Sequence, residues 1–257
     1  MRRSAATGQT GYMLSPLATE ICAGLGAAGA AGLAAGGFAY ASSWPRSRIF
    51  GTALTEPRRP GEIALTFDDG PNPEWTPKLL EILARHDVKA TFFMLGKFAE
   101  TQPDLVRRVA AEGHLIGDHS WSHPKLSMCS AKRIEDELKR TRDKLEQITS
   151  SPVKFFRPPF GARRPAVFRI ARELGLEPVL WNAMTNDWSE PSAEKIAATL
   201  SKKVDALTLS GLAANIVLHD GDHRETVGKR GPSVAAAEMI VERCKAIHKF
   251  VTLAAWA

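Results

Sequence analysis

Cysteine is scarce in this chain and poorly placed for chemistry. The 257 residues hold three, Cys22, Cys129 and Cys244, far apart and without a C-x-x-C pair. That spacing excludes a zinc knuckle, and an odd number argues against a disulfide framework, so all three are expected to be free thiols. A strong charge of one sign is missing too. Lys and Arg number 34 against 28 Asp and Glu, and the formal charge of +6 is spread along the chain rather than gathered in a tail. Nucleic acid is therefore not expected as a partner. No internal repeat or low-complexity tract appears after residue 44. What is present is ample apolar content, 44% of residues, enough for a large core and too much for a disordered chain.

The front end has its own composition. Residues 21–43 carry no charge, and 15 of the 23 are Ala or Gly. The stretch is long enough to span a bilayer, and Gly32 and Gly36 would give it a small-residue contact face. Arg2 and Arg3 before it are matched by Arg46 and Arg48 after it, so no orientation can be read. Ala39-Tyr40-Ala41 resembles a cleavage site, although the polar lead from Ser4 to Glu20 is long for a secretory signal. Residues 1–44 are thus expected to anchor or export the protein, with a helix packed on the domain as the alternative. Residues 45–60, with Pro45, Pro57 and Pro60, read as a linker, and 61–257 as the main domain.

From Gly61 onward, β-rich runs alternate with runs of helical period. The strand candidates are 62–67, 89–94, 114–118, 154–156, 177–181, 215–219 and 250–253. Between them, Thr76-Pro77 and Pro103 open helices, Gly113 marks a left-handed stop, and Ile134, Leu138, Leu145 and Ile148 stripe a third helix. Arg164-Pro165 through Leu174-Gly175 repeats the proline-start, glycine-stop pattern, and two further helices fall near 193–207 and 234–247. Seven βα units favour an α/β barrel over an open doubly wound sheet. In either arrangement, chemistry collects at the C-terminal ends of the strands.

The polar motifs fall at those ends. The first strand runs into Thr66-Phe67-Asp68-Asp69-Gly70-Pro71, whose adjacent carboxylates are best tolerated when one binds a cation and the other serves as a base held by a positive partner. A solvated Asp-Asp-Gly turn is the plainer reading. The third strand runs into Asp118-His119-Ser120-Trp121-Ser122-His123-Pro124, where two imidazoles four apart on a short turn can share an ion. After the fourth come Arg157 and then Pro158-Pro159, which lack N–H groups, so Phe160 supplies the next backbone donor in a stiff loop. Asp187-Trp188 follows the fifth, and the sixth ends in Val217-Leu218-His219-Asp220. His223 sits four residues after His219, but in the polar run Asp222-His223-Arg224-Glu225, and reads as part of a solvated loop. His86, His114 and His248 need no chemical role.

Taken together and in this order, the five motifs resemble the polysaccharide deacetylase family, the carbohydrate esterase family 4 enzymes built on the NodB homology domain. The match runs over most of 60–253. The resemblance implies a distorted (β/α)7-type barrel and metal-dependent removal of acetyl groups from a glycan. It makes Asp69, His119 and His123 the metal ligands, Asp68 the catalytic base and His219 the catalytic acid. It also gives Arg157 the orienting of Asp68, Asp187 the holding of Arg157, the Phe160 N–H the oxyanion, and Trp188 and Val217 the groove around the acetyl methyl. Phe160 stands where many members carry Tyr, and Val217 where Leu is usual.

Two imidazoles and a carboxylate leave coordination positions open for water and substrate. Zinc is the default ion, and the same donors admit Co, Ni, Fe or Mn. The expected partner is an acetylated glycan of cell-wall or chitin type, deacetylated at nitrogen and located outside the cytoplasm, with membrane association through residues 21–43. The alternatives are an O-acetyl esterase acting on a xylan-like polymer and a catalytically silent glycan-binding module.

Overall fold

The computed structural model describes residues 32–257. The chain divides into two compact units, Met1–Tyr40 and Ala41–Ala257. In the first, residues 32–40 are helical and exposed. The rest of the expected span, residues 21–31, lies outside the described residues, as does Cys22. Among the described residues no helix is long and apolar enough to cross a membrane. Cys129 and Cys244 are free.

In the second unit the strands are β1 (Glu62–Gly70), β2 (Thr91–Met94), β3 (Leu115–Asp118), β4 (Phe155–Phe156), β5 (Glu177–Pro178), β6 (Ala214–His219) and β7 (Lys249–Val251). They alternate with α1 (Trp75–Arg85), α2 (Gly96–Thr101), α3 (Pro103–Ala111), α4 (Ala131–Thr149), α5 (Pro165–Glu173), α6 (Ala193–Leu209) and α7 (Gly231–Cys244). The strand ladders are all parallel, in the order β5-β4-β3-β2-β1-β6, and β7 pairs with the first residues of β1. Between β5 and β6 the curl is closed by a single parallel bridge, Ala183 to Ile216, instead of a ladder. This is the distorted α/β barrel expected from seven βα units.

The two-residue period of the strands sorts their side chains into two layers. Ile63, Leu65, Phe67, Phe92, Met94, Phe156, Ile216 and Leu218 join the large core under the helices. Ala64, Phe93, Phe155 and Val179 join a smaller cluster with Leu253 and Trp256. By the same alternation, Thr66 and Asp68 of β1 share a face with Ala64, and Asn215, Val217 and His219 of β6 share the opposite parity from Ile216 and Leu218. The β1–β6 register pairs Thr66 with Val217 and Asp68 with His219. Two strands therefore deliver a carboxylate and an imidazole side by side.

The helices mostly begin and end where their sequences require. α3 and α5 start on prolines, and Gly113 (φ 81°) and Gly175 (φ 76°) follow their ends in the left-handed conformation. Ser130 caps α4 by accepting from Arg133 N. At α1 the start differs from expectation. Asn72 Oδ1 accepts from Glu74 N and Trp75 N, so the helix opens at Trp75, and Thr76 turns its hydroxyl to Asp220 instead of capping. α2 was not foreseen, being six residues without a readable period. It fits because Gly96 has no side chain: a Cβ there would lie 2.3 Å from the Trp121 ring.

The stretch 45–60, expected to be a linker, lies within the second unit and is fastened there. The fully buried Arg163 donates to the carbonyls of Ser42, Trp44 and Ser47, and Leu54 bridges to Val179. Backbone carbonyls captured by one guanidinium hold a proline-containing segment that composition alone marks as loose.

Candidate active site

Residues of one strand normally face opposite ways, yet Asp68 and Asp69 both reach the C-terminal rim. A register shift between Asp68 and Gly70 in the β1–β2 ladder and a positive φ of 71° at Asp69 bring this about. A bulge that re-aims a side chain at a strand end is a recurrent device beside active sites. Gly221 passes directly over this bend, where a Cβ would sit 2.0 Å from the Asp69 carbonyl oxygen.

The H-x-x-x-H turn is built by its neighbours. Asp118 Oδ1 accepts from Ser120 N at 2.6 Å, Ser120 Oγ accepts from His123 N at 3.1 Å, and Glu137 of α4 takes both Ser122 N and Ser122 Oγ. Ser120 (φ 70°) and His123 (φ 63°) adopt left-handed conformations that non-glycine residues seldom hold, a strain these bonds sustain. His119 Nε2 then lies 3.5 Å and His123 Nε2 3.2 Å from Asp69 Oδ1.

These three donors suit a cation on observations that do not depend on one being bound. Their ligand atoms all lie within 4.8 Å of one another. Asp69 Oδ1 is buried without a hydrogen-bond partner. His119 Nδ1 is 2.8 Å from the Arg157 carbonyl oxygen. That contact makes Nδ1 the N–H bearer and leaves Nε2 its lone pair. Burial pushes the His123 imidazole down to about 3 against the pull of Asp69, so that ring is neutral. Burial opposes ionisation of Asp69, but His223 and the other imidazoles outweigh it and hold the carboxyl well below its usual range. The other described donor group, His86, Glu238 and Glu242, is partly exposed, and Glu238 is already paired with Arg85.

Arg157 is fully buried inside the barrel. It donates from Nη1 to Asp68 Oδ1 at 2.8 Å and to Thr66 Oγ1 at 2.6 Å, and from Nη2 to Asn215 Oδ1 at 3.3 Å. Its plane lies over Phe93 at 4.2 Å. A buried guanidinium stays favourable only while it is paired, which pins Asp68.

Asp187 takes a different partner from the one expected. Its carboxylate accepts from His219 N (2.9 Å) and Ser233 Oγ (2.8 Å) and lies 3.0 Å from His219 Nδ1, and it makes no hydrogen bond or ion pair with Arg157. Thr66 and Asn215, inward neighbours on β1 and β6, stand beside the guanidinium instead, and Arg157 Nε is left without a partner. Burial works against charging His219, but Asp187 prevails and raises it to about 9, so the imidazole is protonated at neutral pH.

Over these groups opens a cleft of about 600 Å³. Phe160, Trp188 and Val217 line it as expected, with Trp181, Met184 and the fastened segment Ser43-Trp44-Pro45 in addition. The Phe160 ring meets His123 edge-on at 4.5 Å, and Trp188 meets His219 likewise at 5.4 Å. At Phe160 the backbone is left-handed (φ 58°). The next two N–H groups, of Gly161 and Ala162, go to Pro158 O and Pro159 O. The loop is solvated at Arg224 and Glu225, as expected, but His223 turns into the site. Its ring stacks on His123 at 4.2 Å, and only its spacing from His219 hinted at this in the sequence. Thr66, Asn215 and Ser233 gave no sequence signal, because their roles depend on strand parity and tertiary contact.

Residues 55–179 match the family model described as polysaccharide deacetylase. The peptidoglycan-N-acetylglucosamine deacetylase of Bacillus cereus is 36% identical over 212 residues, covering 82% of this chain and 73% of the relative. A chitooligosaccharide deacetylase of Rhizobium leguminosarum bv. trifolii is 42% identical over 170 residues, 65% of this chain and 74% of the relative. The crystal structure of the Bc1960 peptidoglycan N-acetylglucosamine deacetylase superposes with a TM-score of 0.70 at 35% identity, covering 79% of this chain and 91% of that one. The wild-type BA3943 protein of Bacillus anthracis, described as a CE4 family pseudoenzyme, superposes equally well at 24% identity, covering 79% and 68%. The fold is thus shared by active and inactive proteins, and the side chains at the rim have to decide.

Proposed function

The chain belongs to the polysaccharide deacetylase family, and from that premise we propose that it hydrolyses the N-acetyl groups of an N-acetylglucosamine-containing glycan, of cell-wall or chitin type, outside the cytoplasm. The observation that carries this reading is the convergence of Asp69, His119 and His123 on one point of the rim, beside an Asp68–Arg157 pair and an Asp187–His219 pair.

Asp69, His119 and His123 would hold one divalent cation. Zinc suits two imidazoles and a carboxylate, and cobalt, nickel, iron or manganese can occupy the same donors. When bound, the ion supplies Lewis acidity to the substrate carbonyl and acidity to a water. Asp68, oriented by Arg157, accepts the proton of the attacking water. Phe160 N–H faces the carbonyl oxygen as it gains negative charge, a contribution of roughly 3 kcal/mol in comparable sites. His219, protonated and held by Asp187, gives its proton to the departing nitrogen, since an amine leaves poorly until it is protonated. Trp188 and Val217 enclose the acetyl methyl.

Acetate release from chitooligosaccharides, peptidoglycan and acetylated xylan, before and after chelation and metal return, tests this reading. Chelator-sensitive release from the first two is expected. Release from xylan alone would make the protein an O-acetyl esterase, and glycan binding without any release would make it a silent module.

A further inference from the structure

We propose that His223 is a positioning residue for the metal triad, bracing Asp69 and His123 from outside the ligand set; this rests on the metal site read above. His223 Nδ1 lies 3.7 Å from Asp69 Oδ2. That is the oxygen other than Oδ1, the one that faces His119 and His123. The His223 ring also lies nearly parallel to that of His123, with an interplanar angle of 19° and centroids 4.2 Å apart. Phe160 stands edge-on to both imidazoles, at 4.5 Å from His123 and 5.7 Å from His223. One side chain thus touches two of the three ligands, while its own nitrogen stays outside the group of donors that converge.

Both contacts answer a mechanical need. Asp69 sits on a bulge with a left-handed backbone, so its carboxylate is not fixed by strand geometry. A polar nitrogen near Oδ2 biases it to present Oδ1 alone. His123 is in a left-handed turn, and its Nδ1 is buried without a hydrogen-bond partner, unlike His119 Nδ1, which the Arg157 carbonyl fixes. Stacking against His223 with Phe160 at the edge supplies the missing restraint on ring rotation. Partners that orient metal ligands are commonly worth 10–100-fold in affinity.

The loop bearing His223 is itself held in place. Lys97 Nζ donates to the His223 carbonyl oxygen at 2.6 Å, and Asp222 takes bonds from Arg224 N, Nε and Nη2. Arg230 Nη2 lies 3.3 Å from Asp222 Oδ2. At Gly228 a Cβ would lie 2.4 Å from that of Asp222, so the loop closes tightly on itself. Only 34% of the His223 side chain is exposed despite the polar run around it.

The test compares the wild-type chain with His223→Ala, His223→Phe and His223→Asn. Phe keeps the ring face on His123 and loses the nitrogen, whereas Asn keeps a polar group towards Asp69 and loses the face. Zinc dissociation constants are read by competition with a chromogenic chelator, alongside thermal melting of each metal-free protein. We expect His223→Ala to weaken zinc binding 10–100-fold, with smaller losses for Phe and Asn and unchanged metal-free melting. Equal zinc affinity in wild type and all three variants would overturn the proposal. So would a loss of affinity that merely tracks a lowered metal-free melting temperature. A wild-type chain that binds no zinc would instead overturn the metal site itself and this proposal with it.

Discussion

The two ends of β1 obey different rules. Ile63, Ala64 and Leu65 are fully buried and apolar, and pair in register with β6 on one side and, at Ile63 and Ala64, with β7. Asp68, Asp69 and Gly70, a few residues further on, carry a register shift, a left-handed backbone and a buried oxygen without a partner. The first half satisfies every local preference of a central parallel strand. The second breaks several at once, and natural folds tolerate such breaches mainly where chemistry requires them. The entrance of the barrel therefore carries stability, and the rim carries function.

Substitutions at the two ends should separate these properties. The largest effect is expected from Asp68→Asn, which should lower kcat by about 10²–10⁴-fold while zinc affinity, measured by chelator competition, stays near wild type. Full activity in that variant would remove Asp68 as the base. Leu65→Ala should do the reverse. Denaturant unfolding should show a loss of about 2–5 kcal/mol, with kcat of the folded fraction retained.

The Asp187–His219 pair sharpens the comparison within the rim. Because Asp187 lifts His219 to about 9, its removal in Asp187→Asn should let the imidazole lose its proton at lower pH. The alkaline limb of the kcat profile should then move down by about a unit or more, so that the loss of rate is largest on the alkaline side. An unmoved alkaline limb would show that Asp187 serves another group.

The smallest of these effects lies far from the rim. His114 is pushed down from 6.5 to about 4, chiefly by burial and also by Lys89, and its Nδ1 accepts from Ala90 N, a bond only the neutral ring can take. The unfolded chain binds the proton more readily than the folded one, so this group's contribution is present above pH 6.5 and is lost as pH falls towards 4. Between pH 7 and 5 about 2 kcal/mol of stability should disappear, and His114→Asn, whose amide oxygen can accept from the same N–H, should flatten that dependence.

Much of this was legible in the sequence, for identifiable reasons. Apolar runs ending in Asp-Asp-Gly, Asp-His and His-Asp located β1, β3 and β6 and the rim above them, because parallel strands buried on both faces leave their chemistry at the ends. The thinness of β4 and β5, two residues each, was not legible, since ladder length depends on how the sheet curls. Neither was the partner of Asp187, which lies in a turn outside the strands and meets His219 and Ser233 only through tertiary contact. His223 was hidden by its composition. A run of Asp, His, Arg and Glu looks solvated until Asp222 is seen to absorb two arginines and turn the imidazole inward.

The most direct test of the central claim is anomalous diffraction at the zinc absorption edge from crystals of the zinc-loaded protein. A single peak bonded by Asp69, His119 and His123 is predicted. No peak at the rim, or one only at the outer cluster of His86, Glu238 and Glu242, would contradict it.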